Sequence, residues 1–534
     1  MNIYLQQKIY VMIFIFIINL ILSTTMIIYV KNWYVYLIFL MTSPLINSLY
    51  ALALLSKLDF KKNNSLNMNY LINTNETNEI DKQCKNKTLV IFVPCYNETL
   101  SELISTFESI SEQQKIDDNK KLMIIICDGI VKNDESVTTT DKLLTDYIFL
   151  NNITKDYVID NAYKTWDGKL QTLRIYCGIK SGLHFMIIVK SKNYGKRDSI
   201  TLLRRMIYKY VNNNVDLNKF DLVIKNEFDP IFNSRIDYIY GTDADTVLDP
   251  NCIYHLIRSI YLSDEDTVAV VGFVDVNISK KNPLILYQFA EYLYAQCLRR
   301  KFQSHFTNKV NCLSGCNQIV KVCNETCGEQ ILEIFNKKPL PNANIFNMIV
   351  STASEDRNHV TLMFQLYPYI KTLQDVNAIV YTNVPETFNK FLIQRKRWTL
   401  GALCNDILLV LNQRHNIIER IQSFINIYVN IINTFILISS GYFINAIIHN
   451  SSLLMLYLAI PIFIVILHML SIPFVHYHLK NTKIGYYYLS LPIYILATPV
   501  LSFIQHIYTL INLDNFNWNK KTIQIDNTVE ETMV

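Results

Sequence analysis

The 534-residue chain has only 12 glycines, and they build neither of the glycine-rich loops that cradle phosphate. No GxxxxGK[ST] and no GxGxxG occurs, so a P-loop ATPase and a dinucleotide enzyme both lack their phosphate-binding turn. No run of lysine and arginine interleaved with aromatics forms the basic stripe that nucleic acid needs, and a formal charge of +5 does not suggest one. Between residues 56 and about 419 no apolar stretch compares with those at the chain ends. The first apolar stretch lacks a small-residue cleavage site and exceeds the usual signal-peptide core, so an uncleaved anchor is expected.

Long apolar runs are confined to the two ends. Residues 9–30 and 33–55 open the chain, and 421–448, 453–475 and 484–511 close it, each long enough for the hydrocarbon layer as a helix. Lys57, Lys61, Lys62, Arg414, Arg420, Lys480 and Lys483 flank these segments and place the middle of the chain in the cytosol. The last segment breaks the pattern, because a plain span would leave Lys520 and Lys521 outside. Pro492 and Pro499 predict instead a break into re-entrant or interfacial half-helices, with the C-terminal tail returned to the cytosol.

The middle reads as an α/β domain with a mostly parallel sheet. Apolar, β-branched runs at 88–98, 122–130, 185–193, 236–245 and 267–276 predict strands buried on both faces. "TLSELISTFESI" after the first has helical spacing of Leu100, Leu103, Ile104, Phe107 and Ile110, with Thr99 and Glu102 placed as a capping box. In such domains ligands sit beyond the carboxyl ends of the strands. Asp128, Asp243 and Asp245 fall just past such ends and are expected on one rim. Carboxylates at i and i+2 suit a hard divalent cation that bridges to a phosphate, although acidic residues are also common in turns. With the phosphate loops excluded, a sugar nucleotide remains as the diphosphate ligand.

Further motifs follow in a fixed order: "VPCYNE" (93–98), "CDG" (127–129), "KSKNYGKRDS" (190–199), "GTDADT" (241–246), "ILYQFAEY" (285–292), "SGC" (314–316), "SEDR" (354–357), "VPETF" (384–388) and "QRKRW" (394–398). Together they closely resemble the chitin synthases, membrane glycosyltransferases of family 2 with a GT-A fold. The resemblance implies transfer of N-acetylglucosamine from UDP-GlcNAc to the 4-hydroxyl of a growing β-1,4 chain, with inversion, and passage of that nascent chitin through the protein's own membrane helices. It implies that Pro94, Tyr96, Glu98, Asp128, Lys196, Arg197, Asp198, Asp243, Gln394, Arg395 and Arg397 serve the UDP donor. Asp243 and Asp245 would hold Mg2+ or Mn2+, and Asp356 would be the general base. Gln288, Glu291, Tyr292, Gly315, Cys316, Glu355, Trp398 and Trp518 match acceptor-side positions. The bland alternatives are a core aromatic for Tyr96, a solvated loop for 196–198, a wet helix face for 355–357 and a lipid-headgroup anchor for 394–398.

The resemblance also orders the chain: a membrane hairpin (1–56), a polar linker (57–86), a cytosolic GT-A domain (87–393), the QRKRW motif with an interfacial helix (394–420), channel helices (421–512) and a tail (513–534). A plasma-membrane location follows, with oligomeric state left open. Two departures stand out, Ser314 where the family has proline and "LDNFNWNKKT" at 513–522 in place of a longer tryptophan motif. Cys312, Cys316, Cys323 and Cys327 have a spacing that zinc accepts, but buried reduced thiols are the default in the cytosol. The rival functions are another family 2 polymerase, hyaluronan-synthase-like, and a non-catalytic membrane protein that keeps the fold. The presence of all four aspartates argues against the latter.

Overall fold

The computed structural model describes residues 3–29, 37–56, 74–132, 138–213, 218–278, 282–340, 343–449, 453–475, 483–516 and 523–524. Trp518 lies outside the described residues. The N-terminal apolar helices are α1 (Ile3–Ile28) and α2 (Leu37–Ser56). The sheet begins with β1 (Leu89–Cys95), followed by α3 (Leu100–Ser111) and β2 (Lys121–Cys127). Thr99 and Glu102 cap α3 reciprocally, as their spacing predicts. Next come β3 (Ile153–Lys164), β4 (Leu170–Lys180) and β5 (Leu183–Lys190), then α4 (Lys196–Val211) and β6 (Tyr238–Gly241).

After the short β7 (Val247–Leu248) run α5 (Cys252–Leu262), β8 (Thr267–Val276), α6 (Pro283–Tyr294), β9 (Gln318–Lys321), α7 (Glu355–Leu366) and β10 (Lys371–Thr382). Ten strands form one mixed sheet in the order β3-β4-β5-β2-β1-β6-β9-β8-β10-β7. The central strands β5, β2, β1 and β6 are mutually parallel. Their apolar side chains are buried on both faces, which is why they read as unbroken apolar runs. The β3–β4 hairpin at the sheet edge pairs antiparallel and was not foreseen, because its half-exposed residues carry no such run.

The C-terminal part comprises α8 (Phe388–Leu411), α9 (Ile417–Ile431), α10 (Asn433–His449), α11 (Leu453–Val475) and α12 (Ile484–Ile511). The QRKRW motif lies inside α8, which runs through residue 394 without interruption.

Two sequence expectations are corrected here. The segment 421–448 is not one straight helix: α9 and α10 meet at a 77° bend. Asn19 of α1, buried at the bend, donates from Nδ2 to the Ile431 carbonyl (2.7 Å) and accepts from the Phe435 N–H (2.8 Å), so backbone freed by the bend is satisfied by a side chain. Conversely, α12 is continuous across Pro492 and Pro499 and is not split into half-helices. It nevertheless stays on the domain along its length. Lys483 at its start bonds Asp275 (2.7 Å), Tyr487 meets Phe289 of α6 edge to face and Tyr494 packs at a tilt on Tyr287, and beyond its end the Asn515 carbonyl accepts from Lys396 (3.1 Å). Asp514 there also pairs with Lys8 of α1 (2.9 Å). Among the described residues α1 and α12 are long and apolar enough to cross a membrane, and the bent α9–α10 pair makes a third candidate. These apolar helices mark the chain as membrane-associated.

Candidate active site

The carboxyl ends of the parallel strands bring the expected residues to one rim. Asp128, just past β2, donates its N–H to the Cys95 carbonyl at the end of β1 (3.0 Å). Its carboxylate accepts from Lys190 Nζ (2.6 Å) and from the Tyr194 N–H (3.0 Å). Lys190, the last residue of β5 and fully buried, also bonds Asp198 (2.8 Å), whose other partner is the Tyr163 hydroxyl (2.6 Å). An ammonium buried between two carboxylates is stable only as such a paired cluster, so Lys190 fixes Asp128 and Asp198 together. Sequence reading assigned Lys190 no role. Its one signal was a lysine ending an otherwise apolar strand.

Beyond β6, Asp243 bonds Lys196 Nζ at 2.5 Å, and the same ammonium lies 3.8 Å from Glu355. Burial alone would lower the Lys196 pKa, but Asp243, Asp356 and Glu355 outweigh it and keep the ammonium charged. Asp245 opens to the cleft. Enclosure by the cleft walls, then repulsion from Asp243 and Glu102, pushes its carboxyl up to about 6. Glu98 behaves alike: enclosure first, with Asp245 and Glu102 adding, raises it to about 7, while its Oε2 accepts from the Tyr96 N–H (2.7 Å). Pro94, one residue before the end of β1, lines the small cavity that Lys196, Gly315 and Asp356 also line.

Asp356 sits in the first turn of α7. Its Oδ2 accepts from the Gly315 N–H (2.8 Å), and its buried Oδ1 has no hydrogen-bond partner. Burial first, with Glu355 and Asp243 adding and Lys196 opposing, raises the carboxyl to about 6. At neighbouring Glu355, burial is outweighed by Lys196 and Arg397, which hold that carboxylate below its ordinary value. Two adjacent acids are thereby driven apart in pKa, the pattern by which acid and base roles are separated.

Gly315 is what lets these groups meet. A Cβ there would lie 2.8 Å from Asp356 Oδ1 and 2.9 Å from Lys196 Nζ. Gly315→Ala is therefore expected to displace both groups and to lower any reaction at this site on the order of 10²-fold. The check is a turnover assay paired with a melting curve, the latter expected to stay close to wild type. Cys316 beside it has its thiol pushed well above the ordinary value by burial and by Asp243, so it stays protonated.

The acceptor-side positions gather around α8. Arg395, 3% exposed, bonds Glu291 (2.5 Å), Gln394 (2.5 Å) and Gln288 (3.4 Å), and its guanidinium lies 4.3 Å from the Trp398 ring centre. Tyr292 meets the same indole, ring centres 5.8 Å apart. Arg395 is thus committed to Glu291 in this structure. Arg197 also departs from the expected lining of the nucleotide. It is buried, donating to the Phe335 carbonyl (2.8 Å), Asn358 (2.9 Å) and the Val350 carbonyl (3.0 Å), which ties α4 to α7. Asp198 likewise turns inward to Lys190.

All 11 cysteines are free, and among the described residues no three or more His, Cys, Asp or Glu side chains are grouped as they would be around a metal ion.

A carboxylate pair, a second pair of acids sharing Lys196 and an aromatic-lined α8 at the mouth of one sheet define a membrane-associated α/β protein with a charged cleft. The sequence model of the family described as Chitin synthase matches residues 63–183 and 157–533. The chain belongs to the chitin synthase family, and with it goes the GT-A class expected from the motifs. It is similar to chitin synthase 8 of Gibberella zeae, 31% identical over 447 residues, covering 81% of this chain and 66% of that one. It is also similar to chitin synthase 8 of Verticillium dahliae, 33% identical over 371 residues, covering 63% and 60% respectively. The chain spans 60–66% of the length of these two relatives. Among solved structures, a Pyrobaculum calidifontis mannosyltransferase in complex with GDP-Man and Mn2+ aligns with a TM-score of 0.44 and 12% identity, over 86% of this chain and 97% of that one.

Proposed function

We propose that the protein is a chitin synthase in activity as well as in family: it transfers N-acetylglucosamine from UDP-GlcNAc to the 4-hydroxyl of a growing β-1,4 chain, inverting the anomeric centre. The observation that carries this reading is the shared cluster of Asp243, Lys196, Glu355 and Asp356, which unites the metal-binding type of acid with a base of raised pKa. Tyr96, Glu98 and Asp128 hold the uridine, and Asp356 Oδ1 takes the acceptor proton. Tyr292 and Trp398 supply the ring faces on which a sugar stacks.

Asp243 and Asp245 fit a divalent ion. Asp243 already holds a cation, the Lys196 ammonium, and its charge raises the cost of ionising Asp245, a cost that a bound Mg2+ or Mn2+ would relieve. With only two protein carboxylates, such an ion draws its other ligands from water and the donor phosphates. When bound, it neutralises the departing diphosphate.

The membrane arrangement follows from which helix ends touch the domain. The start of α1 meets Asp514, and the end of α2 packs Tyr50, Ala51 and Leu54 against Leu298 and Phe302. α10 leaves the domain at the bend, and α11 returns with Met469 and Ile472 against Phe273 and Val276. Two hairpins, α1–α2 and α10–α11, therefore cross the bilayer and pass the polymer. α9 and α12 lie on the domain at the plasma-membrane surface, so both chain ends are cytosolic.

The test is UDP release from UDP-GlcNAc by the full chain in detergent. Release is expected to need Mg2+ or Mn2+, to stop with a chelator and to exclude UDP-glucose. Turnover unaffected by chelation would remove the metal assignment.

A further inference from the structure

A line of buried and partly buried hydrogen bonds runs from the first membrane hairpin to the helix that carries Asp356. Tyr50 of α2 donates its hydroxyl to Gln422 Oε1 (2.6 Å), Gln422 Nε2 donates to Asn426 Oδ1 (2.9 Å), and Asn426 Nδ2 donates to Asp406 Oδ2 (2.9 Å). Asp406 of α8, 2% exposed, also accepts from Ser423 of α9 (3.0 Å) and from Arg357 Nη2 of α7 (2.9 Å). Arg357 is the residue after Asp356. Every bond points toward Asp406, because a carboxylate only accepts, and its charge therefore sets the orientation of both amides. Two further contacts register α7 against α8: Asn358 with Asn405 (3.2 Å), and Gly401, whose missing Cβ leaves room for Ser354 at the start of α7.

We propose that Asp406 is a positioning residue, and that the relay Tyr50–Gln422–Asn426–Asp406–Arg357 sets the place of Asp356 according to the seating of the membrane helices α2 and α9. This rests on the function proposed above. A buried carboxylate held by three donors, Asn426, Ser423 and Arg357, has one satisfied arrangement, so a shift of α2 or α9 cannot be absorbed locally and reaches α7 through the Arg357 ion pair. A displacement of about 1 Å at Asp356 costs up to about 10²-fold in rate. The relay touches no donor-site residue, so it acts on turnover and not on donor binding.

The experiment compares Tyr50→Phe, Asp406→Asn and the double variant in the full chain, measuring kcat for sugar incorporation, KM for UDP-GlcNAc and hydrogen exchange across α7. Tyr50→Phe, which removes one hydroxyl, is expected to lower kcat about threefold. Asp406→Asn is expected to lower it about 10- to 100-fold with KM within about twofold of wild type. The double variant should match Asp406→Asn, since the relay is already broken there. Asp406→Glu, which keeps the charge, should recover part of the loss. Multiplicative effects in the double variant, an unchanged kcat in Asp406→Asn, or a KM that rises in step would overturn the proposal.

If the wild-type chain makes no polymer, the functional reading fails, and hydrogen exchange still decides the relay. Asp406→Asn should then deprotect residues 355–366 while β1 and β2 stay protected, and equal protection of all three would refute it.

Discussion

Asp356→Asn lowers polymer formation by about 10²–10⁴-fold and leaves UDP binding unchanged. The substitution keeps shape and the Gly315 contact, since an amide oxygen still accepts that N–H. What is lost is the proton-accepting Oδ1, the one buried oxygen of the cluster with no partner of its own. The wild-type pH profile should report the same group. With the carboxyl raised to about 6, it is ionised and able to accept a proton above that pH, and activity falls as the pH drops through it. A variant that keeps wild-type turnover, or a profile flat down to pH 4, removes the base assignment.

Lys196→Met is expected to lower kcat on the order of 10²-fold, because one ammonium balances Asp243, Glu355 and Asp356 at once. The sign of its effect on pH dependence is also fixed. Lys196 lowers the Asp356 pKa, so its loss raises that pKa further and moves the acid limb of the profile to higher pH. Added Mn2+ should recover some activity by binding the unpaired Asp243. An acid limb that moves downward would show that Lys196 does not face Asp356.

Much of this site was legible because apolar strands and their terminal polar residues are local signals. The runs at 88–98 and 122–130 and the capping box at Thr99 and Glu102 gave the rim on which Asp128, Asp243 and Asp245 meet. What was hidden depends on burial and on partners far along the chain. Arg197 follows Lys196 in a charged loop-like run, yet lies one helical step round α4 and points into the core, where its three acceptors come from residues 335, 350 and 358. Lys190 and Asp406 look like ordinary charges until their partners, 62 and 49 residues away, are brought beside them.

The membrane segments show the same limit. Proline marked α12 as the segment to break, but a helix supported along α6 and α8 tolerates two prolines. The bend occurs instead at Ile432, where the partner that stabilises it, Asn19, is over 400 residues away in sequence. Local propensity could not reveal that contact.

The most direct test supplies the full chain with labelled UDP-GlcNAc and a divalent cation and digests what it makes. Four aspartates acting on one rim predict an insoluble β-1,4 polymer that chitinase degrades and that the Asp356→Asn variant fails to produce. A product resistant to chitinase but cut by hyaluronidase, or a polymer made equally well by the variant, would contradict the account.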